Sequence, residues 1–298
     1  MKKVGIYFHP QWAAAHAFAQ DLKVALEPRV AEVWFTSAWD DEGARRNMEG
    51  SDLLVCVGGD GTMLWAARSV IPHRVPLLGI NMGRLGFLAE LGVEEALVKL
   101  PQILEGGFRI EERTMLQAQL LPPGDSPATE SEAYHALNDV VVGRGAPGRP
   151  IYVETTVDGR RLALYRTDAV IVATATGSSG YALSVGGPIL YPEAQELLVV
   201  PVAPHLVAAR ALVLPCSAVV EMRLVADPPA TVSIDGQIDK ELAIGQSVRV
   251  VRSPYVARFL RLSSPFDYYE ALSQRLGWLD ATNPLRPTRA ADEGDFPG

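Results

Sequence analysis

Apolar and polar positions follow two rhythms along this chain. From Lys2 to about Phe108, short apolar runs at Val4 to Phe8, Val30 to Phe35, Leu53 to Val57 and Val75 to Ile80 take turns with longer segments of helical spacing. Those segments are Trp12 to Leu26, a short one near Asp41 to Met48, Thr62 to Val70 and Glu94 to Leu104. Such alternation predicts a parallel sheet covered by helices. After Gly106-Gly107 the runs turn short and β-rich: Arg113 to Leu121, Tyr134 to Val142, Ile151 to Val157, Arg161 to Arg166, Ala169 to Ala173, Leu197 to Val202, Val219 to Val225, Thr231 to Ile234, Ser247 to Val251 and Ala257 to Leu262. Asp158-Gly159 and Asp235-Gly236 lie between such runs as hairpin signals. The predicted fold is an α/β N-terminal domain with a parallel sheet, followed by an all-β C-terminal domain built as a sandwich or layered sheet. The loop Pro122 to Pro127 is expected at the surface, and the tail from Thr282 to Gly298, rich in Pro, Asp and Glu, is expected to be mobile.

In open parallel sheets, ligands lie beyond the carboxyl ends of the strands. Gly58-Gly59-Asp60-Gly61-Thr62 and Asn81-Met82-Gly83 both fall there. The first of these places one carboxylate in a turn almost free of side chains. Its glycines allow positive φ and close approach by another molecule, and the helix that Thr62 opens favours anions at its N-terminus. A strand-to-helix turn that tolerates an aspartate is the competing structural reading, and the loop alone does not separate the two.

A second glycine-rich segment, Thr174 to Pro188, interleaves hydroxyls with glycines. Such hydroxyls can donate to ribose and phosphate oxygens, with room for a flat ring beside Tyr181, although a long Ser/Gly loop would look the same. Asn138-Asp139 interrupts an apolar run, where a polar pair is costly unless hydrogen-bonded, either by a ribose diol or by backbone at a strand edge or bulge. Arg166 and Asp168, two apart on a strand, face the same side and either pair or meet a ligand. Gly143 to Gly148 has the spacing G-x-G-x-x-G but runs through Pro147 and Pro150 into a strand rather than a helix. It reads as a hairpin loop, from which Arg149 can still reach a phosphate. No G-x-x-x-x-G-K-[ST] occurs, which disfavours an ordinary P-loop enzyme. His205, beside prolines, reads as structural; His9 and His73 carry no legible role; Trp12, Trp34 and Trp65 read as core or interface.

With 298 residues, 48% hydrophobic and 21% charged, the chain has material for two cores. A net charge of -8 argues against nucleic acid as a partner, so anionic ligands must be met locally by glycine loops and single arginines. The two cysteines, Cys56 and Cys216, lie in apolar runs and suit a reducing compartment, and no zinc-ligand spacing occurs. Neither a signal peptide nor an apolar run of membrane-spanning length is present, so a soluble, cytoplasmic protein is expected.

Taken in order, Gly58 to Thr62, Asn81-Met82-Gly83 with Leu85-Gly86-Phe87-Leu88, Asn138-Asp139, Thr174 to Pro188, Asp235-Gly236-Gln237 and Leu276-Gly277-Trp278 resemble the NAD kinase family over about residues 2–279. The resemblance implies an N-terminal α/β domain over residues 1–108, a dinucleotide-binding β domain over 109–264, and a segment over 265–298 that packs back on the first domain. It also implies homodimers or homotetramers. The implied reaction transfers the γ-phosphoryl group of ATP to the adenosine-ribose 2′-hydroxyl of NAD, with a divalent cation, Mg²⁺, arriving on ATP. By the same resemblance Asp60 is the proton acceptor and Gly61 lies with it in the ligand loop. Asn138 and Asp139 hold the dinucleotide, the second being often a longer Glu, and Arg149, Arg166 and Asp168 make polar contacts. Ser179, Gly180, Tyr181, Ala182, Leu183 and Ser184 form the ligand-binding stretch, and Gln237 makes a contact after the hairpin. The family's usual Thr-Pro-Thr-Gly-Ser-Thr-Ala-Tyr appears here with Ala175, Ser179 and Gly180, and Trp65 stands where a basic residue is frequent. Gly-Gly-Asp-Gly also occurs in lipid kinases acting at membranes, but this chain has no basic amphipathic helix or lipidation signal. A non-catalytic dinucleotide sensor would use the same loops.

Overall fold

The structure, a computed structural model, describes residues 1–83, 86–124, 132–145, 149–205, 209–226, 228–265 and 267–278. Leu85, Asp125 to Pro127, Ala146 to Gly148 and the tail from Thr282, all named above, lie outside these.

The first part of the chain runs β1 (Lys3–Phe8), α1 (Ala13–Leu26), β2 (Glu32–Ser37), α2 (Asp41–Met48), β3 (Leu53–Gly58), α3 (Asp60–Ser69), β4 (Leu77–Asn81), β5 (Leu91–Gly92) and α4 (Val93–Leu104). Strands β1 to β4 pair in parallel in the order β4-β3-β1-β2. Every residue of β3 and β4 is buried, as parallel strands covered on both faces require. Helix α1 buries one stripe, Ala15, Phe18, Ala19, Leu22 and Leu26, at three- and four-residue spacing. Helix α3 opens two residues before its apolar pattern does, because extended Gly59 is its N-cap and the Gly59 carbonyl accepts from Thr62 N and Met63 N.

The second part comprises β6 (Arg109–Leu121), β7 (Ala133–Ala136), β8 (Asp139–Arg144), β9 (Ile151–Val157), β10 (Arg160–Thr167), β11 (Ala169–Ala173), a 3-10 turn (Gly177–Ser179) and α5 (Tyr181–Ser184). It continues through β12 (Leu197–Val202), β13 (Leu212–Leu214), β14 (Val220–Ala226), β15 (Ala230–Ile234), β16 (Ile238–Leu242) and β17 (Ser247–Arg261). Strand β17 is antiparallel to β6 and β14 and meets β4 in parallel at Phe259 and Leu77, so the parallel strands belong to an 11-stranded sheet. A six-stranded antiparallel sheet, β13-β12-β11-β8-β15-β16, faces part of it. Val140, Val142, Val170 and Val172 of the smaller sheet share one core with Val153, Met222, Val248 and Val250 of the larger, which is the expected sandwich. Both hairpins also form: Asp158 and Gly159 have φ of 50° and 71°, and Asp235 and Gly236 of 52° and 64°. Two successive left-handed residues are what a type I′ turn needs.

The stretch Tyr134 to Val142, expected as one strand, is two. Strand β7 pairs with β6 in the larger sheet, while β8 pairs with β11 and β15 in the smaller. The chain changes sheet at Leu137-Asn138 because the backbone N–H groups of Leu137, Asn138 and Asp139 donate to the Asp235 carboxylate, at 2.9, 2.7 and 3.2 Å, instead of to a neighbouring strand. Conversely, Ser247 to Val251 and Ala257 to Leu262 join as β17 across an irregularity between Arg252 and Val256. The described residues from Leu262 onward belong to a separate compact unit that contains α6 (Asp267–Arg275). No described helix is long and apolar enough to cross a membrane.

Candidate active site

Strand β3 delivers Gly58 to Thr62 into the N-terminus of α3. None of the three glycines has a positive φ, contrary to expectation; their small size is what matters. A Cβ on Gly58 would lie 2.3 Å from the Thr62 hydroxyl oxygen, whereas Gly59 and Gly61 face open space. Both carboxylate oxygens of Asp60 are held by the loop after β4: Oδ2 accepts from Phe87 N at 2.8 Å and Oδ1 from Leu88 N at 3.1 Å. Gly86 lies so close that a Cβ there would stand 2.2 Å from Oδ1. From the β15–β16 hairpin, Gln237 Nε2 donates to the Gly61 carbonyl at 2.8 Å, so Asp60, Gly61 and Gln237 share one place. Trp65, one turn on, carries the Arg68 guanidinium 4.3 Å above its ring.

The hydroxyl-rich segment meets Asn138 backbone to backbone. Thr174 N donates to the Asn138 carbonyl at 2.9 Å and Thr174 Oγ1 to the Leu137 carbonyl at 2.6 Å. Gly177 presses on the same peptide, since a Cβ there would stand 2.1 Å from the Asn138 carbonyl oxygen. The hydroxyl protons expected for a ligand are spent locally: Ser178, Ser179 and Ser184 donate to the carbonyls of Ala175, Thr176 and Tyr181 at 2.6, 3.0 and 2.8 Å. Ser179 and Ser184 therefore offer a ligand oxygen lone pairs. Gly180 and Tyr181 are exposed, Leu183 is half-buried and Ala182 is buried. Gly177→Ala is expected to lower stability by about 1–3 kcal/mol through overpacking against fixed backbone. The thermal midpoint checks this and should not stay at its wild-type value.

Asp139 is buried, and among the described residues nothing donates to its carboxylate. Burial, and after it the neighbouring Asp235, push it up to about 7. Burial also raises Asp235, but its three backbone donors oppose that. Three donors on Asp235 and none on Asp139 place the charge on Asp235 and the proton on Asp139. Because its folded value is raised above the unfolded 3.9 or so, Asp139 contributes stability fully present below about pH 4 and lost as pH rises through about 7. Asp139→Asn is expected to flatten this loss, worth a few kcal/mol. Urea unfolding at a series of pH values should show the variant's advantage growing from pH 4 to pH 8.

A buried hydrogen-bonded chain joins the two loops. The Leu88 carbonyl accepts from Arg261 Nη1 at 2.9 Å, Arg261 Nε and Nη2 both donate to Glu111 Oε1 at 3.1 Å, and Arg113 Nε donates to that oxygen at 2.8 Å. Arg113 Nη1 then reaches Thr176 Oγ1 at 3.4 Å, and Glu90 gives Arg261 a second carboxylate at 3.2 Å. Burial alone would raise the Glu111 carboxyl, but the charges of Arg113 and Arg261 outweigh it and hold it at about 2. The loop amides that fix Asp60 are thus tied through Arg261, Glu111 and Arg113 to the segment that carries Ser179.

The remaining candidates do not join this group. Asp168 precedes β11 and Thr174 follows it, six residues on, which is roughly 20 Å at about 3.3 Å per residue. Asn138 and Asp139 lie at the Thr174 end, because Asp139 pairs with Ala173 while Gly143 pairs with Ala169. At the far end Asp168 pairs with Arg144, at 3.2 Å, rather than with Arg166. Arg166 pairs in register with Tyr152 near exposed Arg149, and its Nε is buried without a partner.

A parallel sheet with a glycine-flanked carboxylate at its carboxyl edge, facing a sandwich that supplies a hydroxyl-rich loop, defines a two-part nucleotide-site protein. The family model described as ATP-NAD kinase N-terminal domain matches residues 5–108, and that described as ATP-NAD kinase C-terminal domain matches residues 137–262. An NAD kinase of Dehalococcoides mccartyi is 35% identical over 275 residues, covering 92% of this chain and 96% of its own length. One of Aromatoleum aromaticum is 42% identical over 237 residues, covering 80% of this chain and 77% of its own. The NAD kinase of Archaeoglobus fulgidus, solved in complex with ATP, superposes with a TM-score of 0.73 at 26% identity over 93% of this chain and 99% of that one. Yeast NADH kinase, solved with NADH, shares the fold at a TM-score of 0.81 and 24% identity over 96% of this chain and 90% of that one. The chain belongs to the NAD kinase family of phosphotransferases.

Proposed function

We propose that this enzyme moves the γ-phosphoryl group of ATP to the 2′-hydroxyl of the adenosine ribose of NAD, giving NADP, with Asp60 as the proton acceptor. The observation that carries the reading is the Asp60 carboxylate fixed by two loop amides at the N-terminus of α3, with Gly59 and Gly61 open beside it. The ribose oxygen forms a bond to the γ-phosphorus while the bond to the bridging oxygen breaks. That electron pair stays on ADP, and the hydroxyl proton passes to Asp60 and then to solvent. In a loose transition state the proton leaves late, so positioning matters more than basicity. Asn138 and Asp139 take the dinucleotide, the protonated Asp139 carboxyl donating to one ribose hydroxyl oxygen and accepting from the other. The α3 N-terminus and the Gly61 amide face the donor's phosphates.

The divalent cation belongs to the donor as the Mg²⁺ salt of ATP. Among the described residues no group of three His, Cys, Asp or Glu side chains is gathered to hold a resident ion. We also propose a homo-oligomer in which Arg149, Arg166 and Asp168, at the far end of β11, meet a dinucleotide held by a second copy of the chain; a catalytically active monomer on size-exclusion chromatography would contradict it. To test the reaction, the purified protein is given Mg²⁺, ATP and in turn NAD, NADH or a diacylglycerol in micelles. Phosphorylated dinucleotide and no lipid product are expected, whereas NAD binding without turnover would indicate a sensor.

A further inference from the structure

Glu111 and Arg113 stand two apart on β6 and so share one face of the larger sheet, and the paired strand β17 brings Phe259 opposite Glu111 and Ala257 opposite Arg113. Phe259 is fully buried, and two guanidiniums lie over its ring, Arg113 at 5.3 Å and Arg261 at 5.1 Å from the centroid. Glu111, Arg113 and Arg261 are themselves only 6%, 5% and 5% exposed, burial that charges tolerate only when paired. Both arginines donate to the same oxygen, Glu111 Oε1, while Arg109 reaches Oε2 at 3.3 Å.

A buried ionic cluster costs desolvation and is weak evidence for stability alone, so its two ends carry the argument. At one end Arg261 Nη1 holds the Leu88 carbonyl, and the N–H of that same residue holds Asp60 Oδ1. At the other end Arg113 Nη1 reaches Thr176 Oγ1, and the Thr176 carbonyl accepts both the N–H and the hydroxyl of Ser179. Each arginine therefore holds a residue that in turn holds one group of the proposed site, the proton acceptor on one side and the dinucleotide segment on the other. A planar guanidinium does this with several donors in one rigid fork, which an ammonium does not have.

We propose that Arg113 and Arg261 are positioning residues which, locked to each other through Glu111 and Phe259, hold the Asp60 loop and the Ser179 segment at one fixed spacing. The proposal rests on the reaction above, in which Asp60 takes the ribose proton and the Ser179 segment meets the dinucleotide. A misplacement on the order of 1 Å between reacting groups costs about 10²-fold in rate, so the spacing matters although neither arginine touches a reacting atom.

The test cuts the relay at each end. Thr176→Val removes the hydroxyl that Arg113 reaches, leaves Arg113 paired with Glu111, and takes no capping bond from the turn that follows, so the variant should fold. It is expected to raise the KM for NAD about 3- to 10-fold, and Thr176→Ser, which keeps the hydroxyl, should restore it. Arg261→Lys keeps a charge beside Glu111 but loses the fork, and is expected to lower kcat about 10- to 100-fold. The double variant Thr176→Val with Arg261→Lys should lose several-fold less kcat/KM than the product of the single losses, because both cut one chain. Losses that multiply, a wild-type KM for NAD in Thr176→Val, or a serine variant as impaired as the valine one overturns the relay. Hydrogen exchange reads it without turnover, as the rates at the Phe87 and Leu88 amides relative to that of buried Ile6 in β1, a ratio that global destabilisation does not raise. A higher ratio in Thr176→Val upholds the relay even if no NADP forms, and an unchanged ratio overturns it.

Discussion

Asp60→Asn is expected to lower kcat by roughly 10²- to 10⁴-fold, a rise of about 3–5 kcal/mol in the barrier, while NAD affinity stays within a few-fold of wild type. Asparagine keeps one acceptor for the loop but turns an N–H₂ towards the second amide. One of the bonds from Phe87 N and Leu88 N is therefore lost, and the geometry is mostly kept. What disappears completely is the ability to take the ribose proton. Turnover numbers set beside calorimetric affinities separate the two effects. A variant with wild-type kcat removes Asp60 from the chemistry, and one that loses NAD binding in proportion to rate makes it a binding residue.

Glu111→Gln is expected to be the most destabilising of the changes considered, at about 3–5 kcal/mol, because it leaves Arg113 and Arg261 buried without their shared carboxylate. For a chain of this size that corresponds to a fall in thermal midpoint on the order of 10 °C. Wild-type stability should decline as pH falls from about 4.3 to about 2, since the folded carboxyl is held near 2 and its contribution is present only above the unfolded value. The variant should show less of this decline. Loss of kcat alongside stability is also expected, because Arg261 fixes the Leu88 carbonyl and, through that loop, Asp60. A Glu111→Gln protein with unchanged midpoint would mean that the arginines find other partners.

Local rules made much of the fold legible in the sequence. Strand and helix periods located β1 to β4 and their helices, two Asp-Gly turns located hairpins, and the strand-end rule placed Gly58 to Thr62 and Asn81 to Gly83 at one rim. Distant pairings were not legible. Nothing near Asn138 announces that Asp235, 97 residues on, takes its backbone N–H, so an apolar run read as one strand when it is a crossing between sheets. The serine hydroxyls of Thr174 to Ser184 looked free because a sequence does not show which carbonyls a turn folds back onto them. Arg166 and Asp168 shared a face by spacing, yet Asp168 found Arg144 on β8 through sheet pairing that spacing does not report. One signal was present and unused. Glu111 and Arg113 are opposite charges two residues apart in a strand, hence on one face, and burial there requires a shared partner such as Arg261.

The central claim, that the turn carrying Asp60 directs a phosphoryl group to a ribose hydroxyl, is tested most directly by phosphorus NMR of a reaction containing the purified protein, NAD, ATP and Mg²⁺. The account predicts a new 2′-phosphomonoester resonance on the adenosine ribose, growing one for one with ADP in the wild type and nearly absent with Asp60→Asn. ADP formed without that resonance, or NAD bound and unchanged after many turnover times, would contradict it.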